Sequence, residues 1–247
     1  MIHSTDGRTI WKELRQRTEG TCDRESCWLR QSFAAGIDDK ELLHYTFAPR
    51  SPASWKKKPN EWLSSTDITS VMKRYEREHP DFEFLGPAPI DFDSADDSGP
   101  GCVWDEICKF NIDDCLKRGK YRIGFIFNTD PHYKNGSHWI AMFVNMTPGE
   151  ENYIYYFDSN GDKCPKQIIA LRRRIVAQGK DTETAAPIVF TNRDNAGTQH
   201  QQTDTECGMY CLYFITSLLT DRLPPDYFGK TIVRDRVVER HRKIFFS

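Results

Sequence analysis

The sequence predicts an α+β fold, and three observations carry that prediction. Three runs rich in aromatic and branched residues follow one another in the middle of the chain, each bounded by turn residues, so strands succeed strands. The stretch Gly208 to Leu219 is apolar on nearly every side, the mark of a helix inside a core. Amphipathic helical patterns lie on both sides of these features.

Taken in order, residues 8 to 47 are predicted mostly helical, with a loop around Gly20-Thr21. Ile10, Trp11 and Leu14 keep helical spacing, as do Trp28, Leu29 and Phe33. A connector bearing prolines and lysines, Pro49 to Pro59, comes next. Asn60-Glu61-Trp62-Leu63 then leads into a helix through Tyr75, which Ser65 or Thr66 can cap. Phe84 to Ser98 reads as loop, with Pro87 and Pro89 inside it, Pro100 just beyond, and an acidic run from Asp91 to Asp97. Trp104 to Leu116 is predicted as one helix that closes near Gly119.

The three strands are Tyr121 to Asn128, Trp139 to Met146 and Tyr153 to Asp158. Gly149-Glu150-Glu151-Asn152 joins the last two at hairpin length. Lys166 to Gln178 has the pattern of an amphipathic helix, Pro187 to Thr191 that of a further strand, and Thr231 to Arg240 that of a final helix. The chain shows no internal repeat.

Composition narrows the function classes. A formal net charge of −2 over 247 residues produces no global basic field directed at nucleic acid. The local runs Lys56-Lys57-Lys58 and Arg172-Arg173-Arg174 read as solvated faces of a loop and a helix. No apolar stretch approaches the roughly 18 residues of a membrane helix, and the N-terminus lacks the basic start and apolar core of a signal peptide. An intracellular protein in a reducing compartment, not secreted and without a membrane partner, is therefore expected. Eight cysteines are too sparse for a disulfide scaffold, so most are expected as reduced thiols filling the core. Cys22 and Cys27 are five apart, and Cys102, Cys108 and Cys115 six and seven apart. None forms the short pair that presents two thiolates to one zinc, so no metal or other cofactor is expected.

The chemistry concentrates around Cys207, which stands directly before the apolar helix and is followed by Gly208. A thiol at a helix N-terminus meets the positive end of the dipole and free backbone N–H groups, which favour thiolate. Gly208 would let backbone approach a substrate closely. A Cys-Gly pair beside a core helix is usually inert, so a base must also be present. His138 is the candidate, where Asn135-Gly136-Ser137 meets the strand beginning at Trp139. Asp158 ends the following strand, and an antiparallel hairpin brings the start of the first strand near the end of the second. A carboxylate there can accept the second imidazole N–H and stabilise the imidazolium. His200 is a rival base, but it is too local in sequence for a separate strand to aim it at Cys207. Gln199, Gln201 and Gln202 each lie close enough before Cys207 to offer an amide N–H to a developing oxyanion.

In this order, His138-Trp139, Phe157-Asp158-Ser159, Gln201 and Glu206-Cys207-Gly208 resemble the SUMO-protease and adenovirus-protease clan of cysteine peptidases. The clan places its glutamine about six residues before the cysteine, which implies Gln201. Asn60-Glu61-Trp62-Leu63 before a helix resembles the Trp-Leu entry of the SUMO-protease domain, where substrate tails bind. That likeness implies substrate contacts for Trp62 and Leu63, and for Trp139 and Gly208 beside the catalytic pair. Cys22 to Leu29, Trp62 to Tyr75, Pro87 to Phe92 and His200 to Phe214 resemble the proteases of large DNA viruses.

The resemblance implies a papain-like-related fold of the adenovirus and SUMO-protease type. Its mixed sheet is flanked by helices, with a buried Cys-bearing helix packed on the strands that carry His and Asp. It further implies a peptidase domain over residues 51–247, with residues 1–50 as an N-terminal helical arm. The expected activity is cysteine endopeptidase cleavage after small residues, of the Gly-Gly-X type, in polyprotein maturation within host cytoplasm or virion. Removal of SUMO- or ubiquitin-like modifiers is the alternative, and non-catalytic binding of a protein tail the reading from another class. The implied partner is a protein substrate, with DNA only a weak activator on the basic Arg172–Arg174 helix.

Overall fold

The computed structural model describes residues 6–21, 28, 31, 48–95, 99–184 and 186–246. Contacts divide the chain into two compact units, Pro52–Arg242 and a second made of Met1–Ser51 with Lys243–Ser247. In the second, helix α1 (Gly7–Arg17) is capped by Asp6, whose carboxylate accepts the Thr9 N–H at 2.9 Å. Trp11 meets Trp28 edge-on there, with ring centroids 6.4 Å apart. Apart from Trp28 and Gln31, the helical pattern expected from Trp28 to Phe33 and the stretch Cys22 to Leu29 fall outside the described residues.

The larger unit is built on five strands: β1 (Phe82–Pro89), β2 (Arg122–Asn128), β3 (Trp139–Asn145), β4 (Tyr153–Phe157) and β5 (Thr191–Asp194). Their spatial order is their sequence order. The inner pairs β2–β3 and β3–β4 are antiparallel, and the outer pairs β1–β2 and β4–β5 are parallel. The sheet is therefore mixed, and the class is α+β as the strand run predicts. Strands β3 and β4 are buried at every residue, which requires cover on both faces.

Alternation along the strands supplies that cover. One face carries Phe125, Phe127, Ile140, Met142, Ile154 and Tyr156, packed against Ile168, Leu171 and Ile175 of helix α5 (Lys166–Lys180). The other face meets helix α6 (Cys207–Leu219), all of whose residues are buried. Phe214 stacks on Phe157 at 4.6 Å and meets Tyr155 edge-on at 5.1 Å. A helix apolar all round needs partners all round, and helix α2 (Ser65–Glu78) also packs against it. The cap of helix α2 is Ser64, one residue before the expected Ser65 or Thr66. Ser64 and Asp67 form a reciprocal capping box, the Ser64 N–H donating to Asp67 at 2.8 Å.

Four sequence expectations need correction. The stretch read as loop from Phe84 begins inside β1, whose prolines are tolerated because the strand lies at the sheet edge and slips register between Leu85 and Ala88. A Cβ on Gly86, at φ +122, would lie 2.6 Å from the Ile126 carbonyl oxygen, so only glycine fits this slip. The single helix expected from Trp104 is two short ones, α3 (Asp105–Cys108) and α4 (Ile112–Lys117), because Asn111 caps the second by accepting the Asp114 N–H. Strand β5 uses the polar Thr191–Asp194 instead of the apolar Pro187 to Phe190: Ile188 bonds Gly179 of α5, and Val189 points to solvent. Main-chain pairing at an edge does not require apolar side chains. The final helix, α8 (Asp235–Phe245), lies further along than predicted and follows the short α7 (Tyr227–Lys230).

Cysteine chemistry also departs from expectation at one place. Cys115, Cys164, Cys207 and Cys211 are free thiols, but Cys102 and Cys108 are joined by a disulfide across α3, their Cα atoms 6.4 Å apart. With Asp105 they form the one group among the described residues whose possible metal-ligand atoms lie within 4.8 Å of one another. Bridged to each other, the two sulfurs present no thiolate. The arginine run is also not simply solvated. Arg172 donates to Asn192 at 3.1 Å, and Arg174 to Asp93 at 3.1 Å and to the Ile107 carbonyl at 2.9 Å. Among the described residues no helix is long and apolar enough to cross a membrane.

Candidate active site

The register of β3 on β4 sets Ala141 opposite Phe157, so the start of the first strand and the end of the second share one end of the sheet. His138 precedes the one and Asp158 follows the other. Their side chains meet there, His138 Nε2 donating to Asp158 Oδ1 at 2.7 Å. Both are held from behind. The His138 carbonyl accepts the Thr129 N–H at 2.9 Å, extending the β2 ladder. Asn195, just past β5, accepts the Asp158 N–H at 2.9 Å and donates to the Asp158 carbonyl at 2.7 Å. A second proton donor to Asp158 Oδ1 is the Asn160 N–H at 2.9 Å.

Helix α6 delivers Cys207 to this end of the sheet as its first residue, where the helix dipole and unpaired N–H groups favour negative charge. Since Nε2 faces Asp158, Nδ1 is the nitrogen left for the Cys207 thiol. Burial disfavours the imidazolium, but the bond to Asp158 and the influence of Cys207 outweigh it and hold His138 at about 10. The imidazole is thus charged at neutral pH, the condition for an imidazolium beside a thiolate.

Gln201 enters from the loop before α6 and is buried. Its Nε2 donates to the Thr203 carbonyl, and its Oε1 accepts from Ser159 Oγ at 2.8 Å. An amide nitrogen has two protons, so one remains free. Gln199 instead turns its Nε2 to the Gln201 carbonyl at 2.9 Å, and Gln202 is exposed. The rival base His200 is fully buried against Phe157 and Phe228. Its Nδ1 accepts the Val233 N–H at 3.0 Å, and burial pushes it down to about 4, leaving it neutral and turned away from chemistry.

A cleft of about 350 Å³ is lined by Trp62, His138, Gln199, Gln201 and Thr203 among others, while Cys207 is buried behind it. Trp62 is 39% exposed, an unusual state for so large an apolar surface. Leu63 is buried: its carbonyl accepts from Trp139 Nε1 at 3.0 Å, and its Cβ occupies the space beside Gly208. A Cβ on Gly208 would lie 3.0 Å from Leu63 Cβ, so the close approach that Gly208 allows is made by Leu63. Trp139 lines a neighbouring cleft of about 460 Å³ with Pro87, Trp104 and His132.

Four further residues support the site, and sequence reasoning gave none of them a role. Ser159 had a signal, its place directly after Asp158. Asn195, Asp235 and Arg242 had none, since each acts on a segment far away in the chain. Asp235 accepts the N–H groups of Gln202 and Thr203 and the hydroxyl of Tyr210, tying the glutamine loop to α6 and α8. Arg242 donates to Glu206, the residue before Cys207, and to the carbonyl of Glu61, the residue before Trp62.

Fold and residues together define a cysteine-type peptidase. Residues 123–246 match the Ulp1 protease family, C-terminal catalytic domain, and the chain belongs to that family. It is 30% identical to a putative thiol protease of Acanthamoeba polyphaga mimivirus over 98% of this chain and 75% of that one. It is also 27% identical to a cysteine protease of African swine fever virus, over 97% of this chain and 89% of the relative. The crystal structure of the African swine fever virus protease superposes with a TM-score of 0.75 at 23% identity, covering all of this chain and 93% of the other.

Proposed function

We propose that Cys207 is the nucleophile, His138 its general base and acid, Asp158 the group that orients His138, and Gln201 the side-chain oxyanion donor. The observation that carries this reading is the 2.7 Å bond between His138 Nε2 and Asp158 Oδ1, with Cys207 at the N-terminus of helix α6 as a further influence on the same imidazole. In the proposed cycle the Cys207 sulfur attacks the scissile carbonyl carbon, and the oxyanion is held by the free Gln201 amide proton and the Cys207 N–H. The imidazolium gives its Nδ1 proton to the departing amine, leaving a thioester on Cys207. His138 then takes a proton from water, which attacks the thioester and releases the acid and the Cys207 thiolate, restoring the starting state.

The reading extends to substrates. Trp62, in the cleft that His138 and Gln201 also line, supports small residues before the scissile bond, of the Gly-Gly-X type. The likeness to mimivirus and African swine fever virus proteases supports a role in viral polyprotein maturation. Cleavage of a Gly-Gly-aminomethylcoumarin peptide tests the assignment. Cys207→Ala is expected to abolish turnover with an unchanged circular dichroism spectrum, and wild-type rates in that variant would end it. SUMO-, ubiquitin- and NEDD8-tail electrophiles test the substrate. Rapid labelling of Cys207 by one of them alone would replace polyprotein cleavage with deconjugation.

A further inference from the structure

We infer that Ser159 is a positioning residue for the oxyanion donor, a role that rests on the assignment of Gln201. Ser159 is almost fully buried and stands between two active-site elements, directly after Asp158 and beneath the glutamine loop. Three hydrogen bonds tie it to that loop. Its carbonyl accepts the N–H of His200 at 2.8 Å and of Gln201 at 2.9 Å, fixing the backbone from which the Gln201 side chain springs. Its hydroxyl donates to Gln201 Oε1 at 2.8 Å, fixing the far end of the same side chain.

The consequence is an amide that cannot turn without loss. The Thr203 carbonyl accepts one Nε2 proton, and a carbonyl offers no proton to an Oε1 placed there by a flip. With Oε1 bonded to Ser159 and one Nε2 proton bonded to Thr203, the second Nε2 proton has a fixed direction. Glutamine has three side-chain torsions to restrain, and a donor that is already aimed need not reorganise as charge develops. Ser159 thus links the turn that holds Asp158 to the group that receives the oxyanion, so one residue sets both relative to Cys207.

A double-mutant cycle on the Gly-Gly-aminomethylcoumarin peptide tests this. Ser159→Ala is expected to lower kcat about tenfold, the scale of one lost hydrogen bond, with KM unchanged. In a Gln201→Ala background, which itself costs roughly 10²–10³-fold in kcat, the same change is expected to have no further effect. An equal loss in both backgrounds, a loss confined to KM, or no loss at all would overturn the role of Ser159. A silent Gln201→Ala would instead overturn the oxyanion assignment beneath it. Should Ser159→Ala fail to fold, Ser159→Cys, close in volume and a weak donor, is read in the same cycle with the same expectation.

Discussion

Arg242 and Glu206 form an ion pair, 2.9 Å apart, whose side chains are 7% and 0% exposed. The guanidinium also lies 4.5 Å over the Trp55 ring and bonds the Glu61 carbonyl. It thereby joins Glu206, the residue before Cys207, to the segment that carries Trp62. Burial pushes the Glu206 carboxyl up despite the opposing pull of Arg242. The desolvation of this pair is therefore heavy, and its value is positional.

Removing Arg242 leaves the buried Glu206 carboxylate without its counter-charge, with only the Thr205 hydroxyl at 3.4 Å. Arg242→Ala is expected to lower folding stability by about 3–5 kcal/mol, measured by urea denaturation. A change within 1 kcal/mol would show that water or relaxation replaces the guanidinium easily.

The state of His138 sets an alkaline limit. Its folded value, about 10, lies above the free value of 6.5, so the native state keeps a proton that the unfolded chain loses. The resulting stabilisation is full below 6.5 and is lost as pH rises through about 10. The proton needed by the leaving amine disappears over the same limb. Asp158→Asn removes a bond that raises His138, so the alkaline fall in kcat/KM is expected at lower pH than in wild type. Superimposable limbs would contradict the role given to Asp158.

His200 acts in the opposite direction. Burial holds it at about 4, below the free value of 6.5, so folding favours the neutral ring. This contribution is full above 6.5 and is lost as pH falls through about 4, an acid destabilisation of about 3 kcal/mol. His200→Asn, whose amide oxygen can still accept the Val233 N–H, is expected to flatten denaturation midpoints across that window while leaving the alkaline activity limb in place. A wild-type acid slope in the variant would reassign it to another group.

The three glutamines divide sharply. Gln201→Ala is expected to lower kcat by roughly 10²–10³-fold, while exposed Gln202→Ala stays within about threefold, in line with ordinary surface substitutions. Steady-state kinetics on one peptide decides it, and the reverse order would move the donor by one residue.

Local pattern was sufficient for β2, β3, β4 and α6, because a strand buried on both faces and a helix apolar all round carry their environment in their own side chains. The meeting of His138 and Asp158 is legible in the hairpin pattern as well, since antiparallel pairing dictates which ends meet. The edge strands were another matter. β1 and β5 are defined by the main chain of a neighbour, and their prolines and polar residues signal loop until that neighbour is in place. The filling of the Gly208 gap by Leu63, and the holds of Asn195 on Asp158 and Arg242 on Glu206, likewise depend on segments brought together from afar. Sequence spacing encodes period and local turns, whereas a hydrogen bond between residues 37 or 36 apart exists only once the sheet and its helices have packed.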